Sequence, residues 1–304
     1  MIVVAGEALI DLAPREGLLL PLAGGSPYNV AIGLGRLGAT TAFAGPLSSD
    51  RFGGLLGERL LAAGVSLDLA PRTDEPTTLA VVHLDDRGRA SYAFYLEGTS
   101  TRALTAGSLP TLPEGAALHV SFGAVVADTP GTGPALTTLL TDTPGLRLTS
   151  LDPNVRPGVI ADLGSYAERI ERLIGAVDLV KVSDEDLLLL HPGADPLSIA
   201  RRWAGAGPAA VVVTLGPDGA VAVRPDGTEL AVPGRQVVVV DTVGAGDAFT
   251  AGLLAWLDDH DQLERGTLTT MPDAGLRAAL EHAVHVAAVT CTRAGAEPPT
   301  AAEL

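Results

Sequence analysis

Short β-branched runs alternate with longer Ala/Leu-rich stretches along this chain, and most of the runs are apolar on successive residues. Both features predict an α/β fold, with a mostly parallel central sheet covered by helices on its two faces. The strand candidates, in order, are Ile2 to Val4, Leu118 to Ser121, Leu148 to Leu151, Leu179 to Val182, Ala210 to Thr214 and Val237 to Val240. Helical patterns fall between them: Tyr28 to Leu37, Arg51 to Ala63, Pro134 to Thr141, Tyr166 to Ile174, Ala245 to Leu257 and Leu276 to Thr292. One region departs from the alternation. Thr77 to Leu84 and Ala90 to Tyr95 are β-prone and flank the turn-rich Asp85-Asp86-Arg87-Gly88-Arg89, which predicts an antiparallel hairpin. Gly17 to Leu22 supplies a further strand beside it. A sheet this small has too little core to stand alone, so it is expected to lean on the main body as a lid or an interface. No linker, low-complexity tract or repeat divides the chain, so residues 1–304 read as one domain, with the lid drawn from about 12–22 and 76–100.

Composition narrows the function. The 304 residues carry 20 Lys+Arg against 36 Asp+Glu, a formal charge of −16. That excess of acid, with no clustered Lys and Arg, argues against nucleic-acid binding, which needs cations along a phosphate backbone. With 47% hydrophobic and 18% charged residues the chain is not disordered, and its length is enough for a large core. Cys291 stands alone, which excludes an intrachain disulfide framework and a cysteine-built zinc site. The first residues lack the basic segment of a signal peptide, and no apolar run is long enough to span a bilayer. A cytoplasmic location is therefore expected.

The chemistry concentrates in Val237-Val238-Val239-Val240-Asp241-Thr242-Val243-Gly244-Ala245-Gly246-Asp247. Small residues follow an apolar run and a helix opens near Ala245. Glycines there let a ligand approach the backbone, and the free N–H groups of a helix start attract anions. Asp247 sits in that niche, where the helix dipole favours its ionised form and leaves it able to accept a proton. An acid near a helix start is by itself more often a cap. Anion donors beside a base are, however, the two requirements of phosphoryl transfer to an alcohol.

The whole segment Asp241-Thr242-Val243-Gly244-Ala245-Gly246-Asp247, followed by Ala248-Phe249-Thr250-Ala251-Gly252, resembles the C-terminal signature of the ribokinase-like (PfkB) carbohydrate kinases. Gly24-Gly25-Ser26-Pro27-Tyr28-Asn29, continuing to Gly38, is similar to the same family's first signature. This resemblance implies a three-layer α/β/α sandwich with a small β lid, and an ATP-dependent sugar kinase. It implies Asp247 as catalytic base and the backbone of Gly244, Ala245 and Gly246 as the anion hole. Gly24, Gly25 and Asn29 would contact sugar hydroxyls, joined by Asp11 of Gly6-Glu7-Ala8-Leu9-Ile10-Asp11. Gly33-Leu34-Gly35-Arg36-Leu37-Gly38 also fits a dinucleotide fingerprint, but it lies towards the end of a helical stretch and follows no strand, so a dehydrogenase is rejected.

Lesser matches fill in the site. Asp152-Pro153-Asn154-Val155-Arg156 is similar to a strand-end segment of fructokinase-like members, and implies Arg156 near the substrate. Lys181-Val182-Ser183-Asp184-Glu185-Asp186 resembles the segment that organises Mg2+ through water, which implies Lys181 and Ser183 on the nucleotide side and Asp186 towards the metal. Thr214, Gly216 and Gly219 resemble the loop bordering ATP. Cys291 to Ala296 resembles the adenine-side segment with its monovalent-cation loop, which implies Asp241 and Val243 as K+ residues. The expected cofactors are thus ATP and Mg2+, with K+ in addition. The members most resembled are bacterial fructokinases. Leu96 after Phe94-Tyr95 stands where relatives acting on fructose or 2-keto-3-deoxygluconate often carry Arg, which favours a neutral sugar over an acidic one. Ribose, 2-keto-3-deoxygluconate and nucleoside kinases, and a sugar-binding regulator without catalysis, are the alternatives. A homodimer formed through the lid is the expected assembly.

Overall fold

The computed structural model describes residues 1–15, 17–84, 90–123, 130–160 and 162–304. Its central sheet has eight strands: β1 (Ile2–Ala5), β4 (Thr41–Phe43), β9 (Ala117–Ser121), β10 (Leu148–Asp152), β11 (Leu179–Ser183), β12 (Ala210–Thr214), β13 (Ala220–Val223) and β14 (Glu229–Val232). They lie side by side in the order β14-β13-β12-β11-β10-β9-β1-β4. The six from β12 to β4 run parallel, while β13 and β14 return antiparallel.

The helices form the outer layers. Helices α1 (Ser26–Arg36), α2 (Arg51–Ala62), α7 (Ala245–Asp259), α8 (Arg265–Thr270) and α9 (Asp273–Cys291) share one core with Ile2, Val4, Leu148, Leu179 and Val212 of the sheet. A second core joins α3 (Thr132–Asp142), α4 (Leu163–Ile174), α5 (Asp184–Leu190) and α6 (Pro196–Ala204) to Val3, Val120, Leu151, Val180 and Val213. Alternate residues of each strand face opposite layers, so consecutive apolar residues are what a doubly covered sheet needs. Helix ends are capped locally: Asp50 accepts from Gly53 N–H, Asp195 from Ser198 N–H and Ser183 from Asp186 N–H.

Four further strands make the small sheet: β2 (Leu9–Arg15), β3 (Leu18–Gly24), β7 (Leu79–Leu84) and β8 (Ala90–Tyr95), in the order β3-β2-β7-β8. The predicted hairpin is β7 paired antiparallel to β8, although its turn, 85–89, lies outside the described residues. Phe94 and Leu96 meet Val159 over Leu9 and Ala80, which seats this sheet on the segment after Arg156. A pair of short strands, β5 (Leu47–Ser48) and β6 (Arg72–Thr73), lies apart.

The structure corrects one predicted element. Val237 to Val240 is not a buried strand: it pairs with no strand, and Val238 is 84% exposed. The sheet ends at β14, and this run instead lies against the end of α9, where Val240 and Asp241 N–H donate to the Cys291 carbonyl. An apolar run reports β propensity, whereas burial requires a neighbour with a free edge. The Gly33-to-Gly38 match falls in and just after α1, consistent with rejecting a dinucleotide turn. Gly33 lets Ala251 of α7 approach so closely that a Cβ would come within 2.6 Å of it.

Candidate active site

Parallel strands end together, and here their C-terminal ends and the segments that follow carry Arg156, Lys181, Ser183, Asp186 and Thr214. From β1 the chain goes to β4 on one side, while β9 to β12 lie on the other, so the order reverses between β1 and β9. In open α/β sheets the crevice at such a reversal receives ligands. Glu7 follows β1 at this point, and Ser121 ends β9.

Asp247 reaches the same place from the first turn of α7 and is 8% exposed. Its Oδ1 accepts the Ser26 hydroxyl at 2.6 Å, and its Oδ2 accepts the Asn29 side-chain amide at 2.9 Å. Both donors come from the first turn of α1, so two helix starts meet at one carboxylate. Burial pushes its pKa above the ordinary aspartate value, opposed by these two bonds and by Lys181. The sequence argument from the helix dipole predicts the opposite direction. Desolvation outweighs that dipole, and a base that holds its proton more firmly is suited to general-base work.

Gly244 caps α7 in the left-handed region at φ 75, and a Cβ there would come within 2.5 Å of the Ala296 methyl. Glycine is therefore required twice over, by conformation and by space. No side chain caps this helix, and the Ala245 N–H turns back to the Thr242 carbonyl at 3.2 Å. Asp241 braces the turn: Oδ1 accepts Val243 N–H at 3.0 Å and Oδ2 accepts Gly295 N–H at 2.9 Å.

On the side of the small sheet, Asp11 of β2 lies against Gly24 of β3, where a Cβ would fall 2.3 Å from the carboxylate. At Gly25 a Cβ would fall 2.8 Å from the Glu7 carbonyl. The Gly-Gly pair thus lets the base of the small sheet pack onto the turn after β1. Burial raises Asp11 to about 6, with Arg156 pulling the other way. The exposed Arg156 acts on Glu7 and Asp186 as well, so one cation serves three carboxyls.

In the middle of the sheet, Lys181 of β11 is buried and donates to Asp152 of β10 at 2.9 Å. A Cβ on Gly246 would lie 3.1 Å from the Lys181 ammonium, which places that cation beside the start of α7. Asp186 accepts Val155 N–H and is raised to about 6, chiefly by burial and then by Asp152. Ser183 is occupied as the N-cap of α5. Thr214 ends β12, and Gly216 and Gly219 form the turn into β13. No contact joins those three to Asp247 among the described residues.

Sequence reasoning missed three groups. Glu7 is 5% exposed and raised to about 7, mainly by burial, and its Oε2 has no hydrogen-bond partner among the described residues. Ser26 was passed over inside its motif, and Asp152 was quoted without a role. An acid between Gly6 and an apolar run is the one hint the sequence holds for Glu7. A depression of about 380 Å3 between β3 and α2, lined in part by Leu22, Leu55 and Arg59, holds none of the predicted site residues.

Comparison with known proteins places the chain in a family and a fold. The family model described as pfkB family carbohydrate kinase matches residues 1–302. A fructokinase of Rhizobium leguminosarum bv. trifolii is 41% identical over 283 residues, covering 91% of this chain and 86% of its own length. The crystal structure of a Xylella fastidiosa fructokinase with bound ATP superposes with a TM-score of 0.86 at 27% identity, covering 97% of this chain and 93% of that one. A Vibrio cholerae O395 fructokinase in a fructose-, ADP- and calcium-bound form gives 0.82 at 28% identity, over 97% and 94%. The expected ribokinase-like sandwich is the fold observed. With its signatures, its fold and its full-length match in agreement, the chain belongs to the pfkB family of carbohydrate kinases.

Proposed function

We propose that this kinase transfers the γ-phosphate of ATP to a hydroxyl of a neutral sugar, fructose first among the candidates, with Asp247 as general base. The carrying observation is the Asp247 carboxylate, held by Ser26 and Asn29 at the sheet's reversal point. Asp247 removes the hydroxyl proton as the sugar oxygen attacks phosphorus, and the bond to the leaving ADP oxygen breaks in line. Gly244 and Gly246 present backbone N–H groups to the transferring group, the Ala245 N–H being held by the Thr242 carbonyl, and the Lys181 ammonium beside Gly246 adds positive charge. Asp11, Gly24, Gly25, Asn29 and Arg156 bound the sugar. Thr214, Gly216 and Gly219 border the nucleotide, while Ser183 contributes by capping α5.

No group of three or more His, Cys, Asp or Glu residues among those described is arranged to hold a metal. That suits Mg2+, which keeps its waters and takes ligands from the phosphates, with Asp186 and Asp152 as outer carboxylates. When bound, it neutralises charge on the phosphate oxygens. Asp241 keeps a lone pair on each oxygen beyond its two N–H bonds, which suits K+ together with the Val243 carbonyl.

We read residues 1–304 as one domain whose small sheet covers the sugar and excludes water. Its outer strand leaves Leu18, Leu19 and Leu22 exposed, which supports a homodimer through the lid. Sedimentation showing a monomer across micromolar concentrations would remove that assembly. No helix among the described residues is long and apolar enough to cross a membrane.

The test is ADP release with ATP, Mg2+ and K+ against fructose, ribose, 2-keto-3-deoxygluconate and a nucleoside. Fructose is expected to give the highest kcat/KM. Asp247→Asn should lower kcat ~10²-fold or more while the protein folds and binds ligands; near-normal turnover in that variant rejects the base assignment.

A further inference from the structure

A polar line runs from Asp247 into the interior of the sheet. Ser26 Oγ lies 2.6 Å from Asp247 Oδ1 and 3.1 Å from Ser121 Oγ. Ser121 Oγ is 3.1 Å from His119 Nε2, and His119 Nδ1 is 3.1 Å from Ser150 Oγ. His119 and Ser121 are two apart on β9 and share a face, and Ser150 stands opposite His119 in the β9–β10 register. His119, Ser121 and Ser150 are each at most 1% exposed, and Asp152, paired with buried Lys181, stands opposite Ser121 in the same register. Polar side chains at the centre of a doubly covered sheet are costly unless they satisfy one another.

Counting protons fixes the direction of the line. An ionised carboxylate only accepts, so Ser26 gives its single proton to Asp247. Ser26 faces both Asp247 and Ser121 as a donor but has one proton; with the 2.6 Å contact to Asp247 taking it, the 3.1 Å contact is left to the Ser121 proton. Ser121 has spent its proton and accepts from His119, so the imidazole carries hydrogen on Nε2. Its bare Nδ1 accepts from Ser150. Every hydroxyl and N–H in the row therefore points towards Asp247. A burial-driven fall of the His119 pKa to about 4 keeps the ring neutral, as this arrangement requires.

We propose that His119 is a positioning residue for phosphoryl transfer, acting through Ser121 and Ser26 to orient Asp247 and hold it ionised inside the protein. This rests on Asp247 being the base. Aligned hydrogen bonds polarise one another, so the Ser26–Asp247 bond is stronger than a lone hydroxyl would make it. The line partly offsets the desolvation of the carboxylate. The charged and titratable groups facing Asp247 are Glu7 after β1, Asp152 on β10 and Lys181 on β11, with α1 contributing only neutral Ser26 and Asn29. Changing His119 or Ser121 removes none of these charges, of which Asp152 and Lys181 also act on His119.

The experiment is the pH dependence of kcat and kcat/KM for sugar in the full chain carrying Ser121→Ala, His119→Leu or His119→Gln. Gln can place a donor near the position of Nε2 and Leu cannot. Ser121→Ala and His119→Leu should move the acidic limb up by at least half a pH unit. They should also lower kcat at pH 6.5 about fivefold or more, with KM for ATP within twofold. His119→Gln should stay within twofold of the unmodified enzyme throughout. If His119→Leu fails to fold, Ser121→Ala decides. The proposal is overturned if the limb of Ser121→Ala coincides with that of the unmodified enzyme, or if Gln and Leu at 119 move it equally. A full-rate Asp247→Asn would instead overturn the base assignment, so the two failures are distinguishable.

Discussion

Glu7 shows how much of the site's character is set by burial. Its carboxyl rises from 4.5 to about 7, chiefly because it is removed from water, with Asp247 adding repulsion and Arg156 opposing it. A raised acid favours the folded state in its protonated form. The stability it contributes is complete below about pH 4.5 and is lost as the pH climbs through about 7. Asp11 and Asp186, each raised from 3.8 to about 6, have the same sign and lose theirs between those values. Glu7→Gln removes the ionisation while keeping the shape. Its Tm relative to the unmodified chain should therefore be higher at pH 8 than at pH 5, by at most about 3 kcal/mol of stability. Melting curves at both pH values check this, and an equal difference at the two would mean that Glu7 ionises freely.

Elements meet at the site because their ends are held close by small residues. Gly24 of β3 leaves the space that Asp11 of β2 occupies, with 2.3 Å between that carboxylate and the position of a Cβ. Gly24→Ala should displace Asp11 and raise KM for the sugar about tenfold or more, while KM for ATP stays within about threefold; initial-rate kinetics in both substrates measure the split. The run Val237 to Val240 makes the contrary point. Its composition reads as strand, yet it packs beside no strand and Val238 is 84% exposed. Val238→Lys should accordingly change stability by less than about 0.5 kcal/mol, a shift in Tm of no more than about 2 °C. Cooperative unfolding many degrees lower would return that run to the buried core.

At the scale of the molecule, two cores on opposite faces of one sheet leave the strand ends as the place where both helix layers and the small sheet converge. Ligands that bind there add their binding free energy to folding. ATP or fructose at about 100 times its Kd should stabilise the chain by roughly 2.7 kcal/mol. Asp247→Asn should keep that rise in Tm, since the role proposed for Asp247 lies in proton transfer and not in binding; differential scanning fluorimetry of both proteins reads it. The sequence alone determined the α/β class and the hairpin of the small sheet, and its resemblance to the family signatures singled out Asp247, Asn29 and the glycines as candidates, because periodicity and short motifs are local properties. Only the tertiary structure decided that Ser26 and Asn29 grip Asp247 from 218 or more residues away, and that Lys181 is paired with Asp152. It likewise decided that Glu7 is buried and that Val237 to Val240 is not. Burial, desolvation and cross-strand partners arise from segments distant in the chain, so no local pattern of residues encodes them.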